Sequence, residues 1–557
     1  MTELMVMRNL NMNDKIVVTN SAIIINNYQM GDNEKLEQTF SVWDPLTHKL
    51  IPFGMHYDPI NEQLYLPRGI DIWWVRNCFD EKYYHRENCH EYNKIENIEI
   101  KYRPRDEQQV QALQFMCGVN EYEENLDFTQ LSVNLNTGKG KTYCSIATIA
   151  FFKIKSMIIT ASNSLLSQWK DEIIKYTNLK EKDVIQIKGS DNINMILSGY
   201  SQKANNASIY LCSHGTLKSF GDSYGWDKVY ELFKYLGIGL KFFDEAHTNF
   251  DNMLMIDYHT NVWKTYYVTA TPGRSNFKEN RIYKVSLKNV PYIDLFDEKN
   301  DPHTSYIAIK WNSRPTPMDI SKCKNQYGLD RMKYIDFITR NPEFYKMMRV
   351  IMELVIKCNG RVLMYIGTNE GILRVYHWIG TNYPEFLGDI GIFSSLVPND
   401  QKLEEKKKKL LLSTTKSAGL GEHIEGLKMT ILLAEPFKSE IIARQTLGRT
   451  RDDNTMYIEL VDMGFRYIRK FYYNKLPVFN KYASDVSDTT IESYELNKRY
   501  QDIIKSRETW RIKPLQFYDT RFDFSEIEKK DQKYRPNIIE PFTFVNQDKY
   551  DNTNTKF

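Results

Sequence analysis

Hydrophobic and polar positions follow two different rhythms along this chain. Up to about residue 100 the apolar stretches are short: Lys15–Thr19, Ala22–Ile25, Gln63–Leu66 and Ile70–Val75. Asn, Gly and Pro separate them, which predicts a small strand-rich unit. From Tyr102 onward, buried-type runs alternate with helical patterns. Leu131–Leu135 precedes a helix opening at Gly140, and Ser156–Thr160 precedes one over Ser164–Tyr176. Ser208–Ser213, Gly239–Phe243 and Tyr266–Thr269 continue the series. Apolar strands separated by helices, with polar motifs at the strands' C-terminal ends, predict a mostly parallel α/β sheet.

The stretch from Lys288 to Tyr334, with Pro291, Pro315 and Pro317, reads as irregular. A second α/β pattern follows, with a helix over Pro342–Lys357 and strands at Arg361–Ile366, Gly391–Ser394, Leu410–Thr414, Met429–Leu433 and Thr455–Leu460. Past Arg469 the chain is polar and aromatic, with helical character over Ser487–Arg507. The expected organisation is a strand-rich unit over 1–100, a first α/β unit over 101–290 and a link over 291–334. A second α/β unit follows over 335–475, then an extension over 476–557. The two α/β halves read as one kind of unit used twice.

Length supports this division, because 557 residues exceed what one hydrophobic core organises. Charge changes little: 74 basic residues against 71 acidic ones neither announce nor exclude a polyanionic partner. Seven scattered cysteines without a CxxC pair predict reduced thiols in an intracellular protein. Cys78 and Cys89, near His85 and His90, fit no standard zinc spacing. No apolar run approaches the roughly 20 residues of a membrane span, and Met1–Lys15 does not resemble a secretion signal. A soluble protein without membrane partners is expected.

The candidate chemistry lies at two strand ends. Thr137-Gly138-Lys139-Gly140-Lys141-Thr142 follows an apolar strand and opens a helix. Glycines let backbone amides turn onto phosphate, and the helix N-terminus adds partial positive charge. Lys141 is expected on the β/γ-phosphates of ATP and Thr142 on Mg²⁺. Leu135 stands where the full phosphate-loop pattern has its first glycine. About a hundred residues on, Asp244-Glu245-Ala246-His247 follows another buried strand. Asp244 suits magnesium, and Glu245 suits the activation of water.

These motifs resemble the superfamily 2 helicases that carry a DEAH box, including phage and large-virus DNA helicases and translocases of branch migration and repair. The resemblance covers about Tyr102 to Tyr472. It implies two RecA-like motor domains, with ATP between Lys141 and Asp244 on one side and Arg449 or Arg451 on the other. Gln108, with Gln109 one position away, would read adenine. Ser162 and Gln168, in the turn from Thr160 to Trp169, and Thr216 would touch a nucleic-acid backbone. His247, Thr269 and Thr271 would couple ATP state to strand grip. In the second half Thr415 would contact nucleic acid, and Gly421 and Glu422 would approach the nucleotide. Gln445 and the arginines of Gly448-Arg449-Thr450-Arg451 would complete catalysis, Arg449 first and Arg451 assisting. One residue separates these arginines, where the family often has two.

The activity this implies is an ATP-dependent helicase or translocase on branched or duplex DNA, with DNA ahead of RNA as partner. A motor that remodels RNA or transcription complexes is the alternative. A further one is a DNA-recognising subunit of a nuclease or packaging assembly. Replication, recombination or transcription proteins would be its partners. Richness in Asn, Ile, Lys and Tyr fits a phage or large virus, hence the host cytoplasm. Lys406–Lys409 reads as a solvated helix face before a duplex contact. Trp73 and Trp74 read as core before base-stacking residues.

Overall fold

The computed structural model describes residues 14–44, 47–135, 139–269, 273, 277–295, 304–326, 328–386, 388–398, 401–418, 424–447, 454–508, 521–522 and 524–534. The chain divides into two compact units, Met1–Asp297 and Glu298–Phe557.

Unit 1 is built on a seven-stranded sheet: β1 (Gln130–Leu135), β2 (Ser156–Thr160), β3 (Val184–Ile187), β4 (Ile209–Ser213), β5 (Leu240–Asp244), β6 (Lys264–Thr269) and β7 (Tyr292–Leu295). The order is β3-β4-β2-β5-β6-β1-β7, with every pairing parallel. Parallel pairing needs crossovers, and helices supply them. These include α1 (Glu107–Cys117), α2 (Lys141–Phe152), α3 (Leu165–Tyr176) and α4 (Phe250–His259). β1, β2, β4 and β6 are buried along their whole length, as strands covered on both faces must be.

The N-terminal strands expected near residues 16, 23 and 64 form a smaller five-stranded sheet. Its Val17, Ala22, Ile24 and Tyr65 share one hydrophobic cluster with Met157, Ile159 and Phe243 of the large sheet. Asn20 also hydrogen-bonds Asn261 and the Val262 carbonyl at 3.0 and 3.1 Å. Ile70–Val75, read as a strand, instead enters the helix Ile72–Cys78, because Asp71 caps the Trp73 amide. Trp73 is exposed with Arg76 over its ring, contrary to the core reading, while Trp74 packs toward Phe40.

Unit 2 repeats the design with β8 (Thr304–Trp311), β9 (Arg361–Ile366), β10 (Ile390–Phe393), β11 (Leu410–Ser413), β12 (Leu427–Ala434), β13 (Thr455–Asp462) and β14 (Asp485–Thr490). Its order is β10-β11-β9-β12-β13-β8-β14, again all parallel. Adding seven to each strand number of the first sheet reproduces the second. The helices used below are α5 (Arg331–Ile338), α6 (Pro342–Lys357), α7 (Asn369–Asn382), α8 (Arg466–Tyr482), α9 (Ser493–Glu508) and α10 (Ser525–Tyr534).

Two sequence readings need correction here. The supposed link over 291–334 contributes β7 to one sheet, β8 to the other, and α5. β8 buries Tyr306, Ala308 and Trp311 between β13 and β14. The second α/β unit also continues past residue 475, since α8 crosses that point and β14 extends the sheet. Among the described residues no helix is long and apolar enough to cross a membrane. Nor, among them, do three or more His, Cys, Asp or Glu side chains gather as metal ligands, and all seven cysteines are free.

Candidate nucleotide site and strand-contacting loops

Parallel strands deliver their C-terminal ends to one edge of a sheet, so motifs far apart in sequence meet there. In unit 1 that edge collects the C-terminal ends of β1, β2, β4, β5 and β6. Gly140 precedes α2 with φ 89°. The conformation favours glycine, and a Cβ here would also displace the end of the Gln109 side chain, whose Nε2 would lie 2.3 Å away. Gln109 is fixed on each side: Nε2 donates to the Lys139 carbonyl at 3.0 Å, and Oε1 accepts from the Arg105 amide at 2.8 Å. Gln109, rather than Gln108, therefore braces this loop. Gln108 Oε1 is buried without a hydrogen-bond partner among the described residues, an acceptor that fits an exocyclic amino donor such as adenine's.

Lys141 Nζ reaches across to Glu245 Oε1 at 2.7 Å. Both side chains are nearly buried, at 11% and 12% exposure. Glu245 is held at φ 53°, a left-handed conformation uncommon for a residue with a Cβ. Its other oxygen lies 3.5 Å from His247 Nδ1. The same ring nitrogen is 2.7 Å from the Thr269 hydroxyl. A continuous polar line thus runs from Lys141 through Glu245 and His247 to Thr269, joining the ends of three strands. Asp244 accepts from Trp169 Nε1 at 2.9 Å. Burial and the neighbouring Glu245 charge push the Asp244 carboxyl up to about 6, against the opposing pull of Lys141 and Trp169. A hard divalent ion beside Asp244 and Thr142 would relieve that charge crowding, so this oxygen-donor set fits Mg²⁺.

The residues expected to meet a strand lie in the neighbouring turns. Ser162 Oγ lies 2.7 Å from Ser164 Oγ. The Thr216 hydroxyl approaches Ser213 Oγ at 3.0 Å and Asn163 Oδ1 at 3.5 Å. β2 and β4 are paired neighbours, which brings the Ser162 and Thr216 turns side by side. Gln168 is half-buried on α3. Its neighbour Trp169 serves the Asp244 carboxylate, a role the sequence did not disclose.

Residues 99–274 match the family described as type III restriction enzyme, res subunit. This segment is a superfamily 2 helicase domain. The chain that carries it is an ATP-hydrolysing enzyme of the helicase and translocase class, a motor acting on nucleic acid. No match appears among curated proteins. Similar solved structures include S. cerevisiae Dbp5 bound to RNA and ADP BeF3, at 14% identity over 72% of this chain and 93% of that one, TM-score 0.46. T4 UvsW matches at 15% identity over 86% of this chain and 99% of its own, TM-score 0.31. Mss116p bound to single-stranded RNA and AMP-PNP matches at 13% over 77% and 83%, TM-score 0.49.

Unit 2 has a set of strand-end turns of its own. Thr415 follows β11, as Thr216 follows β4. Its amide donates to Glu435 at 2.9 Å, and its hydroxyl donates to the same carboxylate. That proton is therefore committed to Glu435, which also pairs with Arg331. Thr415 consequently fits the role of direct phosphate donor poorly. Next to it, Arg331, Lys333, Thr368, Thr414, Lys416 and Ser417 help line a polar groove of about 680 Å³. Gln445 lies on the helix Glu440–Leu447 of this unit. Thr137, Gly138, Thr271, Gly421, Glu422, Arg449 and Arg451 lie outside the described residues.

Proposed function

We propose that this motor tracks a single nucleic-acid strand through its phosphate backbone, using equivalent turns of its two α/β units. The observation that carries the reading is the repeated strand order. Turns after β2 and β4 carry Ser162 and Thr216, and those after β9 and β11 carry Thr368, Thr414 and Lys416. Hydroxyls, amides and a few cations hold phosphate without reading bases.

In the proposed cycle Lys141 moves from Glu245 to the γ-phosphate of ATP, and Glu245 Oε1 becomes free to accept from the attacking water. Mg²⁺ held by Thr142 and Asp244 would neutralise charge on the phosphates. His247 and Thr269 then report that exchange to the strand-contacting turns. Arg449, with Arg451 assisting, is the proposed cationic donor to the transferred phosphate.

Backbone recognition serves RNA as readily as DNA. Branched or duplex DNA and RNA or transcription complexes are accordingly the two tracks to compare. Steady-state ATP hydrolysis with single-stranded DNA, duplex DNA, a four-way junction and single-stranded RNA tests the reading, beside Lys141→Ala. Turnover should rise with at least one polymer and vanish in the variant. Stimulation chiefly by junctions assigns branch processing, and stimulation chiefly by RNA assigns transcript remodelling. Absence of Lys141-dependent hydrolysis with every polymer would overturn the proposal.

A further inference from the structure

α10, near the chain's C-terminus, inserts one carboxylate into the interior of unit 2. Asp531 Oδ1 accepts from Arg340 Nε at 2.6 Å and from an Arg374 terminal nitrogen at 3.0 Å, while Oδ2 accepts from Arg374 Nε at 3.2 Å. The other Arg374 terminal nitrogen donates to Asp336 and to the Thr339 hydroxyl, each at 3.2 Å. Arg340 also pairs with Asp336. Arg374 is completely buried, and Arg340 and Asp531 are each 5% exposed. Two guanidinium charges thus face Asp336 and Asp531 at close range, with Glu370 3.9 Å from Arg374, and Asp531 comes from α10.

The elements joined in this way are the walls of the polar groove. Asp336 lies on α5 with Arg331 and Lys333, Arg374 lies on α7 with Asn369 and Glu370, and these residues line the groove except Arg374. α10 makes a second, outer contact there through Lys530 to Glu370. α5 also packs closely on the turn into α7, since a Cβ at Gly367 would lie 2.3 Å from Ile335 Cδ1.

We infer that Asp531 is a positioning residue for strand binding: by neutralising Arg340 and Arg374 it holds α5 against α7 and so fixes the groove's cations. The inference rests on the reading of this groove as part of the backbone track. Without Asp531, the two buried arginines lose their closest shared carboxylate and are left with Asp336 and, for Arg374, the more distant Glu370 at 3.9 Å. An uncompensated buried charge draws in water or moves toward it. Either response shifts Lys333 and Arg331 relative to Asn369.

The test uses the full chain and oligo(dT) or oligo(U), whichever stimulates hydrolysis, well below the melting midpoint of every variant. Asp531→Asn should raise the half-activating oligonucleotide concentration about fivefold or more, with turnover in the absence of nucleic acid unchanged. Adding Arg340→Met to Asp531→Asn restores the charge balance and should recover most of that loss. Lys530→Glu, at an exposed contact that cannot unfold the core, should shift the concentration in the same direction, about twofold. Lys416→Ala tests the groove itself. If Lys416→Ala weakens activation while Asp531→Asn and Lys530→Glu do not, the positioning role is wrong and the groove reading stands. If Lys416→Ala has no effect either, the groove reading fails and takes this inference with it.

Discussion

Trp169 shows how much of a site can hide behind a familiar string. The chain places it four residues into a helix, 75 positions from Asp244, and no local pattern announces their 2.9 Å hydrogen bond. The placement of Lys141, Thr142, Asp244 and Glu245 at strand ends was legible because each motif follows an apolar run. The loop-bracing role of Gln109 was not legible beside Gln108, since side-chain direction decides between adjacent glutamines. The Asp244 carboxyl, already raised by burial and by Glu245, depends on the indole donor to favour its charged form. Trp169→Phe keeps the ring and removes that donor, a charge-assisted bond worth about 1.5–3 kcal/mol. The Mg²⁺ concentration for half-maximal hydrolysis should rise about tenfold. The half-activating nucleic-acid concentration should stay unchanged in a magnesium titration at fixed ATP. If nucleic-acid activation weakens and the magnesium requirement does not, Trp169 belongs to the strand contact that its motif suggests. Glu245→Gln should reduce turnover at least a hundredfold, about the scale of a lost general base, while binding of nucleic acid persists.

At the scale of elements, the misread stretches share a physical cause. β8 is bounded downstream by Pro315 and Pro317, and its buried positions alternate with Ser305, Ile307 and Lys310. β14 reads Asp-Val-Ser-Asp-Thr-Thr and is almost wholly exposed, so an edge position in the sheet defines it and hydrophobicity does not. α8 is fastened by an ion pair: Lys475 Nζ lies 2.5 Å from Glu459 Oε1 on β13. The Tyr306 hydroxyl of β8 donates to Glu459 Oε2 at 2.8 Å. Lys475 is 1% exposed and Glu459 4% exposed. Removing one partner leaves the other charge buried, so Lys475→Met should destabilise unit 2 by about 3–5 kcal/mol. The double variant with Glu459→Gln should regain most of this in urea denaturation. Equal losses in the single and double variants would mean that shape, not charge, joins α8 to the sheet.

The molecule as a whole uses one strand permutation twice, an order no linear pattern could reveal, although the recurrence of two α/β halves was visible. Because each unit has its own core, each has its own sensitivity to acid. His90 and His214 lie in unit 1 and His377 in unit 2, each with its pKa lowered by burial to about 4 from an ordinary 6.5. Neither ring nitrogen of His214 has a hydrogen-bond partner among the described residues. The unfolded chain takes up these protons as pH falls below 6.5, while the folded units resist until about 4. Stability from these groups is therefore complete above the upper value and lost as pH descends toward the lower one. Moving from about pH 7.5 to about pH 5.5 should cost each histidine about 1 kcal/mol. In chemical denaturation His214→Gln should reduce the acid loss of the unit 1 transition by about that amount and leave the unit 2 transition unchanged. His377→Gln should do the reverse. If His214→Gln leaves the acid loss of unit 1 intact, His214 is not held neutral, and the proton uptake on unfolding arises elsewhere. If both transitions respond to either substitution, the units unfold as one cooperative body, and the repeated sheet is a repeat of design without independence of stability.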